Sequence, residues 1–193
     1  MASLLSRPGS LRQRRTCENR AVKIPSDTEL SALAQAVAAR LLATQRRLAT
    51  AESCTGGWIA KLCTDIPGSS DWFDCGFVCY SNAAKTRDLG VPEKLFDAEG
   101  AVSESVVRAM AEGAITRTGA DVSLAVSGIA GPSGAMPGKP VGTVWIGLAH
   151  KEVEEQELLV CQGHLIQFDG DRDAVRRQSV EYALNLLLAM PQI

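Results

Sequence analysis

Between Thr50 and Trp58 the chain reads Thr-Ala-Glu-Ser-Cys-Thr-Gly-Gly-Trp. Glu52, Ser53, Cys54, Thr55, Gly56 and Gly57 put a carboxylate, two hydroxyls, a thiol and two glycines side by side. Leu48 to Ala51 reads as a buried strand, and Gly56-Gly57 open a helix through Lys61 and Leu62 that ends near Pro67-Gly68, so the run lies at a strand-to-helix turn. A sharp turn presents a hydroxyl outward, and amides at the start of the next helix can stabilise an oxyanion or hold a phosphate. Ser53 is the candidate nucleophile. Its surroundings lack the Gly-x-Ser-x-Gly spacing of a hydrolase elbow, and Gly56-Gly57 lack the Gly-Lys-Ser/Thr ending of a phosphate loop. On spacing alone, the commoner role for Ser53 or Thr55 is to cap the helix. Cys54 has no histidine to pair with and reads as a small buried residue.

A serine that attacks a carbonyl carbon needs a base. His150 and His164 lie on no segment whose strand end would aim them at Ser53. Lys85 follows Tyr80-Ser81-Asn82 at a second strand-to-helix junction, and a desolvated lysine can lose its charge near neutral pH and take a serine proton. Tyr80 could relay that proton or hold the amine. Lys61 is the rival base, although its place on the helix suggests a solvated face. A surface lysine at a helix start is the commoner case, so spacing leaves this pairing open. The loop Ser127 to Pro140 is dense in glycine and proline; it is either a connector or a wall whose amides approach a ligand.

The elements that must position these groups follow from periodicity. Ser26 and Glu29 form a capping-box pattern. Leu30, Leu33, Ala34, Val37, Leu41 and Leu42 then share one helical face, and Gln45-Arg46-Arg47 close that helix with positive charge. Gly76 to Tyr80 reads as a strand, followed by a short helix through Ala83, Ala84, Lys85 and Leu89 that stops at Gly90. Val102, Val106, Val107, Met110, Ala114 and Ile115 mark a longer helix with Ser103 as cap and Gly119 as stop. Val122 to Val126 and Val141 to Ala149 read as strands, Lys151 to Gln156 as a charged turn, Glu157 to Gly163 as a return strand and Arg172 to Met190 as the closing helix. The order predicts an α/β fold: one layered α/β/α domain with a mixed, mainly parallel sheet and an antiparallel edge.

With 193 residues, 46% of them apolar, the chain suits one domain with a proper core. A formal net charge of -2 and 22% charged residues speak against a nucleic-acid partner. The longest apolar stretches are too short or too interrupted by glycine to cross a bilayer, so no membrane association is expected. The six cysteines read as reduced thiols of a cytoplasmic protein, and without Cys-x-x-Cys or a histidine ligand spacing no metal site is expected. Residues 1–24 carry Arg7, Arg12, Arg14, Arg15, Arg20 and Lys23 against Glu18 alone. They read as a basic, disordered tail rather than an organellar presequence, because amphipathic periodicity is weak; residues 25–193 form the domain.

Several separated motifs then agree. Thr50 to Gly57, Gly76-Phe77-Val78 with Tyr80-Ser81-Asn82 and Lys85, Gly100 to Ser103, Ser127 to Pro132, Lys139 to Val144 and Gly170-Asp171-Arg172 occur in order over residues 26–190. Together they resemble the CinA C-terminal domain family, in particular its stand-alone bacterial nicotinamide mononucleotide deamidases. The resemblance implies a metal-free and cofactor-free serine amidase of pyridine nucleotide recycling, with Ser53 as nucleophile assisted by Tyr80 and Lys85. It also implies substrate contacts from Glu52, Thr55, Gly56, Gly57, Asn82, Ser127, Gly128 and Gly131. Lys139 and Arg172 become phosphate partners, since lysine and bidentate arginine suit a nucleotide phosphate. The sequence departs from the family at Cys79, where threonine is usual, and at Ala135-Met136-Pro137. The alternative is a non-catalytic nucleotide-binding module of a competence-associated or regulatory assembly. Glycine-rich strands and small apolar helix faces are compatible with a homodimer.

Overall fold

The computed structural model describes residues 23–152 and 159–191. The basic segment 1–22 and most of the charged turn before the last strand therefore lie outside the described residues. The first helix, α1 (Asp27–Thr44), starts with both halves of the capping box: Ser26 Oγ accepts from the Glu29 amide, and the Glu29 carboxylate accepts from the Ser26 amide at 2.8 Å. It ends at Gln45, whose φ of 54° is left-handed. Arg46 and Arg47 lie beyond it; the Arg46 amide donates to the Leu41 carbonyl at 3.0 Å, but the two charged side chains turn elsewhere. Arg46 donates to the Lys151 carbonyl at 2.8 Å, and Arg47 pairs with Asp74 at 2.6 Å.

Strand β1 (Leu48–Glu52) is buried throughout and is followed by α2 (Trp58–Thr64) and a one-turn 3-10 helix (Ser69–Asp71). Strand β2 (Phe73–Val78) starts three residues earlier than expected, because the parallel register matches Leu48 with Phe73. Then come α3 (Asn82–Leu89), α4 (Glu93–Glu99) and α5 (Glu104–Thr118). Helix α4 was not anticipated: it is seven residues long, and Leu95 and Phe96 are only half-buried, so it carries too short an apolar repeat to read. Strands β3 (Val122–Gly128), β4 (Thr143–Lys151) and β5 (Leu159–Gln167) precede α6 (Arg172–Leu188). Strand β5 runs four residues past Gly163, since pairing continues to the match of Thr143 with Gln167.

The strand order is β2-β1-β3-β4-β5. β2, β1 and β3 run parallel, whereas β4 and β5 add antiparallel, so the mixed sheet ends in two antiparallel strands. One apolar layer joins α1, α2 and α6 to the sheet through Leu30, Leu48, Ile59, Leu124, Ile146 and Leu184. The other joins α3, α4 and α5 through Ala49, Ala51, Leu89, Val107 and Met110. From β1 the chain crosses through α2 to one neighbour, β2, and then returns through α3 to α5 to the other neighbour, β3. The carboxyl end of β1 is thus a topological switch point, where α/β sheets form their ligand crevices. Among the described residues no helix is long and apolar enough to cross a membrane.

Candidate active site

Side chains alternate along a strand, and β1 shows which motif residue faces where. Leu48 belongs to the layer of α1, α2 and α6, while Ala49 and Ala51 belong to that of α3 and α5. Ser53, next in phase with Ala51, therefore faces α3, and Glu52 faces α2. Glu52 is fully buried, and its two carboxylate oxygens accept from the Ile59 amide at 3.1 Å and the Ala60 amide at 2.9 Å. It caps the start of α2 in place of a side chain from Gly57, which makes no cap bond. The structure thus places Glu52, expected among the substrate contacts, on the α2 face and not on the face of Ser53, with its carboxylate held by the α2 amides.

Ser53 is 8% exposed and meets Lys85, which is 1% exposed. Lys85 Nζ lies 3.1 Å from Ser53 Oγ, 3.0 Å from the Cys79 carbonyl and 3.1 Å from the Tyr80 carbonyl. Lys85 is on the first turn of α3, whose cap Ser81 accepts from the Ala84 amide at 3.1 Å. Helical side chains lean toward the N-terminus, which carries the Lys85 stem back to the carbonyls that precede α3. Burial pushes the Lys85 pKa below its ordinary value. In the neutral amine, the two carbonyls accept its two N–H bonds and leave the lone pair toward Ser53. The arrangement can take a proton from the serine hydroxyl.

Tyr80 supports this centre through its main chain. Its side chain is 65% exposed, and its hydroxyl accepts from Arg172 Nη2 at 3.3 Å, while its carbonyl holds the amine. Of the two readings offered for Tyr80, holding the amine has a geometric basis, in the backbone rather than the phenol. Lys61 is exposed and paired with Asp65, as a solvated helix face requires. His150 is paired in register with Val122, at the opposite end of β3 from Ser53. Cys54 is a poor rival nucleophile, since burial pushes its thiol up to about 12. The five described cysteines are free thiols, and no group of three or more His, Cys, Asp or Glu side chains that could hold a metal occurs among the described residues.

Around the pair, the turn after Ser53 needs glycine twice: Gly56 has a φ of 65° and Gly57 of 89°, both left-handed. Thr55 is fully buried and its hydroxyl has no partner among the described residues. Asn82 is exposed on the first turn of α3. On the neighbouring β3, the Ser53 amide donates to the Val126 carbonyl at 3.0 Å, which brings Ser127 beside the nucleophile. Ser127 donates to the Ala101 carbonyl at 2.7 Å. A Cβ at Gly128 would stand 2.6 Å from the Val144 side chain, so only glycine fits between β3 and β4 there. Lys139 donates to the Val102 carbonyl at 2.7 Å and to the Glu99 carbonyl at 2.5 Å. Its ammonium pins the glycine loop to the α4–α5 connection. Arg172 donates to the Gly131 carbonyl at 2.8 Å and links that loop to Tyr80.

One residue near the motif escaped the sequence reading. Arg176, one turn after Arg172 on α6, donates through Nε to the Cys54 carbonyl at 3.1 Å and through Nη2 to the Thr55 carbonyl at 2.8 Å. The signal available was its i, i+4 spacing from Arg172, which puts both on one helix face.

Residues 30–190 match the CinA C-terminal domain. A nicotinamide-nucleotide amidohydrolase PncC of Pseudomonas putida is 54% identical over 146 residues, which cover 75% of this chain and 86% of that protein. Its namesake from Escherichia coli (strain K12) is 50% identical over 162 residues, covering 84% of this chain and 94% of that one. Among solved structures, the competence/damage inducible protein CihA from Agrobacterium tumefaciens superposes with a TM-score of 0.75 at 38% identity, over 89% of this chain and 99% of that chain. The competence damage-inducible protein A of Klebsiella pneumoniae superposes with a TM-score of 0.77 at 36% identity, over 84% of this chain and 99% of that chain. The chain belongs to the CinA C-terminal domain family.

Proposed function

We propose that the chain hydrolyses the carboxamide of nicotinamide mononucleotide to nicotinic acid mononucleotide and ammonia. The reaction class follows from relatives named as nicotinamide-nucleotide amidohydrolases that this chain matches over most of its length. The observation that carries the mechanism is the contact of Lys85 Nζ with Ser53 Oγ at 3.1 Å, with the other amine positions on two main-chain carbonyls.

Ser53 Oγ attacks the carboxamide carbon while neutral Lys85 takes its proton. The carbonyl oxygen becomes an oxyanion facing the amides of the turn after Ser53. Lys85 then gives its proton to the amide nitrogen, the C–N bond breaks, and ammonia leaves behind a nicotinoyl ester of Ser53. Water attacks that ester with Lys85 again as base; the acid departs and the Ser53 hydroxyl is restored. Arg172, exposed at the start of α6, is the better cation for the phosphate: its bonds to the Gly131 carbonyl and the Tyr80 hydroxyl leave further guanidinium N–H groups open, whereas the Lys139 ammonium gives two of its three to carbonyls. We place the reaction in pyridine nucleotide recycling in the cytoplasm. A homodimer, with which the glycine-rich strands and small apolar helix faces are compatible, is tested by sedimentation.

Ammonia release measured side by side on the mononucleotide, the riboside and free nicotinamide tests the reading. Turnover greatest on the mononucleotide is expected. Binding of the mononucleotide without ammonia release would make the chain a nucleotide-binding module instead.

A further inference from the structure

We infer that Arg176 is a positioning residue that builds the oxyanion site from the far face of the sheet, an inference that rests on the hydrolytic reading of Ser53. Ser53 faces α3, whereas Cys54 returns to the layer of α6. From α6 the Arg176 guanidinium holds the carbonyls of Cys54 and Thr55, the first two residues after the nucleophile. In a trans peptide the N–H points opposite to the C=O. The Thr55 and Gly56 amides are therefore turned away from α6, toward the side on which Ser53 meets Lys85.

The hydrogen bonds of the turn continue this order. The Gly56 amide, in the same peptide unit as the Thr55 carbonyl, donates to the Ser53 carbonyl at 3.1 Å. That carbonyl shares its peptide unit with the Cys54 amide. Among the described residues neither the Cys54 nor the Thr55 amide has an acceptor. Both open donors thus end short chains of peptide units headed by one guanidinium. A cation at the head polarises each unit and strengthens the terminal donor, by roughly 10–30% per bond in condensed-phase estimates. Arg176 is suited to this because no carboxylate pairs with it among the described residues. Its guanidinium lies 5.0 Å from the Trp58 ring, whose face steadies it. Arg177, the next residue, stacks on the same ring at the same distance, but its bonds go to Asp27, Asp173 and the Pro25 carbonyl. It is the internal control.

Steady-state ammonia release from nicotinamide mononucleotide, with thermal unfolding, is compared for the wild type, Arg176→Gln, Arg176→Lys and Arg177→Gln. Loss of one oxyanion donor costs about 10²–10³ in kcat. A donor left in place but unaligned should cost less, so Arg176→Gln is expected to lower kcat by about 10–100-fold with KM within about threefold. Arg176→Lys, which can reach one carbonyl, recovers part of that loss, and Arg177→Gln stays within about threefold of wild type. A kcat for Arg176→Gln near wild type, an effect on KM alone, or an equal loss in Arg177→Gln overturns the inference. Should Arg176→Gln unfold, Arg176→Lys read against Arg177→Gln decides by the same split. A wild type that releases no ammonia, or a Ser53→Ala variant that still does, refutes the hydrolytic reading itself. Normal wild-type turnover with an unaffected Arg176→Gln refutes only the role of Arg176.

Discussion

Lys85→Arg is the sharpest perturbation of the Ser53–Lys85 pair. Lys85 is buried and its pKa is lowered from an ordinary value near 10.5 by that burial, so the catalytically competent neutral amine becomes available as pH rises through the lowered value. The acid limb of kcat/KM should therefore lie below 10.5 and report Lys85 in the free enzyme. Arginine keeps the charge and the ability to donate to the Cys79 and Tyr80 carbonyls, but it does not deprotonate in the working range. It also exceeds the space of a side chain whose three contacts lie at 3.0 to 3.1 Å. A lost general base costs about 10²–10⁴ in rate, which at 1.36 kcal/mol per decade is about 3–5 kcal/mol of transition-state stabilisation. The assay is ammonia release between about pH 6 and 10, bracketing the expected limb, with Lys61→Arg as the comparison. Lys61 is exposed and paired with Asp65, so that variant keeps its activity and its pH profile. A Lys85→Arg enzyme that turns over within about tenfold of wild type, with the acid limb unmoved, would falsify the serine–lysine mechanism.

The other expectations concern the same few residues. Ser53→Ala abolishes turnover and leaves affinity for the mononucleotide in place, read by calorimetry; turnover within about tenfold of wild type removes Ser53 as nucleophile. Glu52→Gln acts on stability before chemistry. Hydrogen bonds to a charged group contribute about 1.5–3 kcal/mol each, and the amide that replaces the carboxylate keeps one acceptor for the two α2 amides, so a loss of about 2–4 kcal/mol in urea unfolding is expected. A Glu52→Gln protein as stable as wild type but with a raised KM would return Glu52 to the substrate. The stability of wild type relative to Lys85→Met should increase as pH rises through the lowered folded pKa of Lys85 toward its unfolded value, because in that window the unfolded chain holds more protons. A difference that is flat or falls with pH in denaturant titrations contradicts the burial of a shifted amine. EDTA should leave ammonia release unchanged, and loss restored by zinc or magnesium would point to a metal held by residues other than those described.

How far the site could be read from residues alone turns on a single strand. Punctuation by glycine, proline and cap residues was enough to put Ser53 and Lys85 at two strand-to-helix junctions, and parallel pairing of β1 with β2 brings such junctions to one end of a sheet. Distinguishing Glu52 from Ser53 required the phase of β1, because adjacent residues on a strand face opposite layers. Because β1 is buried on both faces, the alternation of Ala49 and Ala51 with Thr50 and Glu52 does not show which face meets which helix layer. The atoms that hold the Lys85 amine are carbonyls of Cys79 and Tyr80, and no residue type announces a carbonyl. Of Tyr80, the sequence displays the phenol and not the carbonyl that holds the amine. Helix α4 was hidden by its shortness, and Arg176 by standing 122 residues from the carbonyl it holds at Cys54. The same alternation makes a division of labour across the sheet physically sensible. A cation placed beside Ser53 would lower the Lys85 pKa further and compete for the reacting oxygen. Arg176, placed behind the turn, instead acts through peptide units and leaves the α3 face to the substrate and the amine.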